Sequence, residues 1–333
     1  VKLPLAVSLG DPSGVGPELL ATAWSARGVH SLPPFFAMGG AGLLAQAARM
    51  RDLSVPVEII SDPAEAAAVF GRALPVLGTM DAPYRPGEPD RAGAALALES
   101  LTMATRLTVE GKAGALVTGP VAKSRLAELG FAHPGQTEFV AAACGVDPRD
   151  AVMMLAGPSL RTVPLTVHVA LAAVTALITQ DLIERKGRIV ARALTRDFGL
   201  ASPRLAVAAL NPHAGENGQF GNEDRTIVAP AIARLIAEGI AAEGPHAADA
   251  LFAPHNRDTF DAALCMYHDQ ALIPIKALDF DSGVNITLGL PIVRTSPDHG
   301  TAFAIAGKAQ AHPGATIAAI RMAGDCAERR ANR

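Results

Sequence analysis

Aromatic side chains are scarce in this chain, at 4% of 333 residues, and charged ones reach only 18%. Half the residues are apolar, but alanine supplies much of that half, so the composition reads as a helix-rich soluble chain. Long apolar runs are missing. The longest candidate, residues 163–178, is broken by Pro164, Thr166, His168 and Thr175 and falls short of the roughly 18–20 residues that cross a bilayer. No membrane partner is expected. A basic surplus is missing too: the net charge of −3 leaves no cationic face to neutralise phosphates, which argues against nucleic acid as a partner. Arg321, Arg329, Arg330 and Arg333 dress a last helix and tail. Cysteine is limited to Cys144, Cys265 and Cys326, odd in number and outside any Cys-x-x-Cys. Reduced thiols are expected rather than a disulfide framework, with Cys265 read as a small hydrophobe in a buried strand. The first residues enter a strand without a signal-peptide pattern, so a cytoplasmic location is expected.

What is present is an alternation of short apolar runs with longer amphipathic ones. Residues 3–9, 35–38, 57–60, 113–118, 152–155, 160–167, 205–210 and 262–267 read as strands. Residues 17–26, 42–50, 92–110, 137–144, 180–198, 223–238 and 315–330 read as helices. Such alternation implies an α/β fold with a mainly parallel sheet covered on both faces. The length suffices for two domains. Residues 83–89 and 130–135 are turn-rich, the second a hinge ahead of a helix that opens at Gln136-Thr137-Glu138.

Three histidines stand in polar turns inside apolar sequence: His168 in Leu-Thr-Val-His-Val, His213 in Asn-Pro-His-Ala-Gly-Glu and His268 in Met-Tyr-His-Asp-Gln. Each follows a stretch that reads as a strand, and the carboxyl ends of strands are where open α/β sheets build their sites. Neutral imidazoles suit a divalent ion, and three protein ligands leave one position open for substrate. The alternative for each is a hydrogen-bonded core histidine.

Other strings carry weaker signals. Ser8–Glu18 is a glycine-rich strand-to-helix turn, compatible with a packed turn or with an anion at a helix start, but it is neither Gly-x-Gly-x-x-Gly nor a Walker loop. Thr118-Gly-Pro-Val-Ala-Lys123 is a second such turn, its lysine readable as an ordinary surface residue. Toward the end, Lys276, Asn285, Arg294 and residues 298–308 gather polar side chains among glycines. A guanidinium reached through Leu-Pro-Ile-Val has a fixed anionic partner, either a protein carboxylate or a substrate phosphate.

Taken in order along the chain, these strings resemble the 4-hydroxythreonine-4-phosphate dehydrogenase family of vitamin B6 biosynthesis. The matching pieces are Gly-Asp-Pro-Ser-Gly-Val-Gly-Pro-Glu, Thr-Gly-Pro-Val-Ala-Lys, Thr-Glu-Phe, Asn-Pro-His-Ala-Gly-Glu, Met-Tyr-His-Asp-Gln and the stretch from Asn285 through Arg294 to Thr301. The resemblance implies an isocitrate/isopropylmalate dehydrogenase-like fold of two α/β domains with a cleft between them. The expected division is 1–133 plus 291–333 on the nucleotide side, and 134–290 carrying the metal ligands and the dimer interface. It implies a homodimer with the active site at the subunit interface. His168, His213 and His268 would be the metal ligands. Gln136, Thr137, Lys276, Asn285 and Arg294 would be the substrate contacts, and His299, Gly300 and Thr301 the nucleotide loop. Asp249 and Asp269 would orient imidazoles or substrate, and Lys276 and Asp269 are the candidates for a protein base.

The implied reaction is oxidation of 4-phosphohydroxy-L-threonine with NAD or NADP to 2-amino-3-oxo-4-phosphooxybutanoate, which decarboxylates to 3-amino-2-oxopropyl phosphate. One divalent ion per site, zinc, magnesium or cobalt, would assist. This chain departs from the family at Gln136, where histidine is common; an amide hydrogen-bonds but carries no charge. That departure motivates a rival substrate, threonate or erythronate 4-phosphate. A metal-dependent phosphate-ester hydrolase and a non-catalytic metabolite-binding protein are the rivals of other classes.

Overall fold

The computed structural model describes residues 2–332; Val1 and Arg333 lie outside them. Twelve strands run in chain order: β1 Leu5–Ser8, β2 Phe35–Met38, β3 Val57–Ile60, β4 Leu74–Leu77, β5 Leu116–Thr118, β6 Val152–Ala156, β7 Arg161–Pro164, β8 Arg204–Ala208, β9 Ala241–His246, β10 Ala262–Cys265, β11 Val284–Leu288 and β12 Arg294–Pro297. The chain divides into two compact units: residues up to Pro148 with those from Leu290 onward, and Arg149–Gly289. The stretch 134–148, expected with the second domain, belongs to the first unit, because helix Gln136–Ala143 packs on helix Arg91–Val109. No helix among the described residues is long and apolar enough to cross a membrane.

In the first unit the strand order is β3-β4-β2-β1-β5-β12, parallel throughout. β1 and β2 are buried along their whole length, as expected for short apolar strands covered on both faces. The chain first builds outward from β1 through β2, then returns to β5 on the other side, so the turns after β1 and β5 flank a topological switch point. Ser100, on the helix Arg91–Val109, ties this point together: its buried hydroxyl donates to Met38 O at 2.8 Å and accepts from Leu9 N at 3.0 Å.

In the second unit the order is β11-β6-β7-β10-β8-β9. β6 runs antiparallel to both neighbours, while β7, β10, β8 and β9 are parallel, so this sheet is mixed. Three differences from the sequence expectation have local causes. The helix expected over 223–238 opens instead as a wide turn, Asp224–Val228, before the regular helix Ala229–Ala237. Pro230 lacks the N–H that would bond the Thr226 carbonyl, and Gln180 Nε2 donates to that carbonyl at 3.1 Å. The helix His268–Asp279 was not expected, since Pro274 interrupts its pattern. Strand β9 contains Gly244-Pro245, which reads as a turn in isolation.

Beneath the end of β7 lies Lys186, on helix Gln180–Phe198. It is buried, and its Nζ donates to Leu165 O at 2.9 Å and to Pro164 O at 3.4 Å, steadying the backbone that leads to His168. Burial pulls this ammonium down to about 8 from the ordinary 10.5. The folded state therefore favours the neutral amine. The resulting stabilisation is fully present above pH 10.5 and is lost as pH falls through about 8.

Two outcomes follow for equilibrium unfolding in urea. Ser100→Ala leaves Leu9 N buried without an acceptor and should cost about 1–3 kcal/mol; a change below about 0.5 kcal/mol, the range of ordinary surface substitutions, would contradict it. Wild-type stability measured relative to Lys186→Met should rise by about 3 kcal/mol between pH 8 and pH 10.5. Parallel pH profiles for the two proteins would show that the lysine is not desolvated.

Candidate functional site

In the second unit the three singled-out histidines all emerge beyond strand carboxyl ends. His168 follows β7 by four residues, His268 opens the helix after β10, and His213 lies in the loop after β8. The rings of His168 and His268 lie 5.8 Å apart, centroid to centroid. His268 Nδ1 is 2.7 Å from Asp269 Oδ1. An ionised carboxylate only accepts, so this contact puts the ring proton on Nδ1 and leaves the Nε2 lone pair for a cation.

His213 is differently placed. Its ring meets Phe220, at 6.3 Å, and residues 213–217 all have positive φ, from 39° to 79°. Left-handed backbone at four non-glycine residues is costly, and such segments concentrate at functional sites. Within one copy of the chain, no cluster of three or more His, Cys, Asp or Glu capable of holding a metal ion occurs among the described residues. The structure thus brings together two of the three imidazoles, while the third presents itself elsewhere.

The anchor of the His213 loop is Asp224. Almost fully buried, its carboxylate accepts from Leu210 N at 2.7 Å, from Asn211 N at 3.0 Å and from Asn211 Nδ2 at 3.0 Å. Nothing in the sequence reading marked this residue; its only signal was an acid opening the helix that follows a glycine-rich loop. Asp249 stands exposed on the short helix Ala248–Leu251, with no hydrogen bond or ion pair among the described residues. Lys276 lies on the helix that His268 opens, its Nζ 5.9 Å from the Phe280 ring centre. Asn285 lies on β11, and its buried Oδ1 has no hydrogen-bond partner among the described residues.

The first unit contributes a second set. Arg294, at the start of β12, is 4% exposed. Its guanidinium donates to Thr118 Oγ1 at 2.7 Å and to Thr137 Oγ1 at 3.3 Å, and burial draws it down to about 10, with Glu138 opposing the shift. Gln136 and Thr137 form the first turn of the helix Gln136–Ala143, whose start has no side-chain cap. Gln136 Nε2 donates to Gly119 O at 3.1 Å, which fixes the amide and leaves its buried Oε1 without a partner among the described residues. Lys123 reaches toward the same helix start, its Nζ 3.5 Å from where a Cβ on Gly135 would stand.

The glycine turn after β1 resolves in favour of packing. At Gly10, φ is +71° and an added Cβ would meet Pro120 O at 2.5 Å; at Gly14 it would meet Thr301 O at 2.6 Å. The space is filled by backbone, so these glycines serve close chain approach rather than an approaching anion. What the turn holds is the expected nucleotide loop: Val15 N donates to Thr301 O at 2.9 Å, and Gly307 N to the buried Glu18 Oε2 at 3.2 Å. Burial raises the Glu18 carboxyl above its usual range, against the pull of Arg51. His299 Nδ1 lies 3.0 Å from Gly300 O, and its buried Nε2 has no partner among the described residues.

Buried polar atoms normally find partners. Among the described residues Gln136 Oε1, Asn285 Oδ1 and His299 Nε2 do not, and these belong to residues expected to touch substrate or nucleotide; buried atoms of Glu18, Tyr84, Thr105 and Arg257, outside that set, also lack hydrogen-bond partners.

Comparison with known proteins identifies the family. The family model of the pyridoxal phosphate biosynthetic protein PdxA matches residues 31–323. A 4-hydroxythreonine-4-phosphate dehydrogenase of Erythrobacter litoralis is 62% identical over 99% of this chain and 98% of its own length. One of Zymomonas mobilis is 53% identical over 98% and 96%. The crystal structure of the 4-hydroxythreonine-4-phosphate dehydrogenase of Klebsiella pneumoniae superposes with a TM-score of 0.85 at 36% identity, covering 98% of each chain. With its motifs in order and its fold matched end to end, the chain belongs to the family of the pyridoxal phosphate biosynthetic protein PdxA.

Proposed function

We propose that this chain oxidises the carbinol carbon of 4-phosphohydroxy-L-threonine, with NAD or NADP as hydride acceptor and a divalent ion as Lewis acid. The keto acid formed, 2-amino-3-oxo-4-phosphooxybutanoate, loses CO₂ to give 3-amino-2-oxopropyl phosphate, within the cytoplasmic synthesis of pyridoxine and pyridoxal 5′-phosphate. The observation that carries the reading is the family match over residues 31–323, and orphaned buried atoms at the expected contacts Gln136, Asn285 and His299 accord with it. They are hydrogen-bonding groups that fit a polar ligand.

The donor set fits a metal ion in part within one copy. His168 and His268 supply two imidazoles, and Asp269 prepares one of them. The third is His213 of a second copy, which makes the active form a homodimer with its site at the subunit interface. Exposed apolar side chains on the same segments support this: Leu171, three residues after His168, and Ile273 and Phe280, on and at the end of the helix that His268 opens, are 70%, 66% and 71% exposed in the single chain, and a second copy would cover them. The chemistry supplied by a zinc, magnesium or cobalt ion there is Lewis acidity toward the alcohol and the carbonyl formed from it, and that supplied by the nicotinamide is hydride acceptance.

The residues of the chain divide the remaining work. Arg294, steadied by Thr118 and Thr137, presents a rigid fork to the phosphate. Gln136 and Asn285 orient the substrate by neutral hydrogen bonds. Lys276 is the second cation for the carboxylate or phosphate and, with Asp269, a candidate acceptor of the hydroxyl proton. Asp249 is assigned to orienting an imidazole across the subunit interface, because no hydrogen bond or ion pair joins it to one among the described residues. His299, Gly300 and Thr301 receive the nucleotide, on a loop that the glycine turn holds in place. The neutral amide at Gln136 favours one second reading, a related four-carbon acid phosphate such as threonate or erythronate 4-phosphate.

Absorbance of reduced nicotinamide, followed with 4-phosphohydroxy-L-threonine and each nucleotide, should rise only when the metal is present and should return when it is restored. His213→Ala should lower kcat by more than about 100-fold. Unchanged turnover in that variant with metal fully bound would eliminate the assignment, and phosphate release without nucleotide would establish a hydrolase instead. The amino substrate should show the higher kcat/KM; preference for threonate or erythronate 4-phosphate would reassign the substrate.

A further inference from the structure

The loop that carries His213 has no regular secondary structure to hold it. Its residues 213–217 occupy left-handed backbone, a conformation that only surrounding contacts can maintain. Backbone hydrogen bonds such as Ala214 N to Asn211 O and Phe220 N to Gly215 O close the loop, and the backbone that leads into it is held by one side chain. Asp224 is 1% exposed, and it receives the backbone N–H groups of two consecutive residues, Leu210 and Asn211, together with the Asn211 side-chain amide. Asn211 Nδ2 is also 2.9 Å from Glu223 Oε2. The single residue between Asn211 and His213 leaves little slack, because Pro212 fixes its own φ.

We infer that Asp224 is a positioning residue for His213, holding the Leu210-Asn211 backbone so that the imidazole is presented at a fixed place for a cation. It touches neither substrate nor metal. A carboxylate suits the task because both oxygens accept and neither donates, so three N–H groups are satisfied by one group. Asparagine is nearly isosteric but keeps one acceptor oxygen and turns an NH₂ toward donors, which should release one limb of the loop. The inference rests on the assignment of His213 as a metal ligand and adds what places it.

The test uses full-length protein and measures the dissociation constant for Co²⁺ by chelator competition, with kcat and KM beside it. Three variants are compared: Asp224→Asn, His213→Ala and Asp261→Asn. Asp261 is another carboxylate of the same unit, accepting from Arg204 N, Nε and Nη2 at 2.8–3.2 Å, and serves as a control for loss of a structural clamp. Asp224→Asn should weaken Co²⁺ binding about 10–100-fold, the range for partners that orient a ligand, and lower kcat more than it raises KM. Asp261→Asn should leave Co²⁺ affinity at the wild-type value whatever its effect on Tm. If Asp224→Asn binds Co²⁺ as wild type does while His213→Ala does not, the positioning role is overturned and the ligand assignment stands. If His213→Ala also binds Co²⁺ normally, both are overturned.

Discussion

A neutral imidazole binds a cation only if its proton is held on the other nitrogen, and the contact of His268 Nδ1 with Asp269 at 2.7 Å meets that condition. The adjacent residue in sequence supplies the carboxylate, so the pair is formed wherever the helix His268–Asp279 begins. That helix begins where it does because β10 ends at Cys265, a fully buried position. His168 reaches the same neighbourhood from β7, whose hydrogen-bonded register with β10 sets Thr162 against Ala263 and Pro164 against Cys265. Two imidazoles 5.8 Å apart are therefore a consequence of strand pairing, and the chemistry assigned to them depends on that register.

The first unit solves a different problem, that of keeping an arginine buried. Hydroxyls of Thr118 and Thr137 accept from its guanidinium, and burial still lowers its proton affinity. Hydroxyl acceptors do not neutralise the charge of a guanidinium. Thr118 ends β5 and Arg294 begins β12 beside it, in parallel register. The parallel sheet thus fixes this site too, and the packed glycine turn braces the loop beyond β12.

Much of this was legible in the sequence. β2 and β3, together with the long helix Gln180–Phe198, were readable to the residue, since apolar runs and capping positions coincide there. The histidines and Arg294 were marked by polar residues at the ends of apolar strands. Strand β12, Arg-Thr-Ser-Pro, was illegible because its composition is polar although three of its four residues are buried. The helix opened by His268 was hidden by its internal proline. Asp224 was missed for a more general reason: a residue that acts by satisfying backbone N–H groups leaves no chemical motif, only a fold in which those groups would otherwise be orphaned.

The most direct measurement of shared ligation is subunit complementation. His213→Ala and His268→Ala proteins, each inactive, are unfolded together, refolded as a mixture and assayed for metal-dependent nicotinamide reduction. If the imidazoles of one site come from two copies, half of the random dimers contain one intact site, and activity should recover to about a quarter of wild type. A mixture as inactive as its components would mean that all three ligands belong to one chain, and would contradict the shared site.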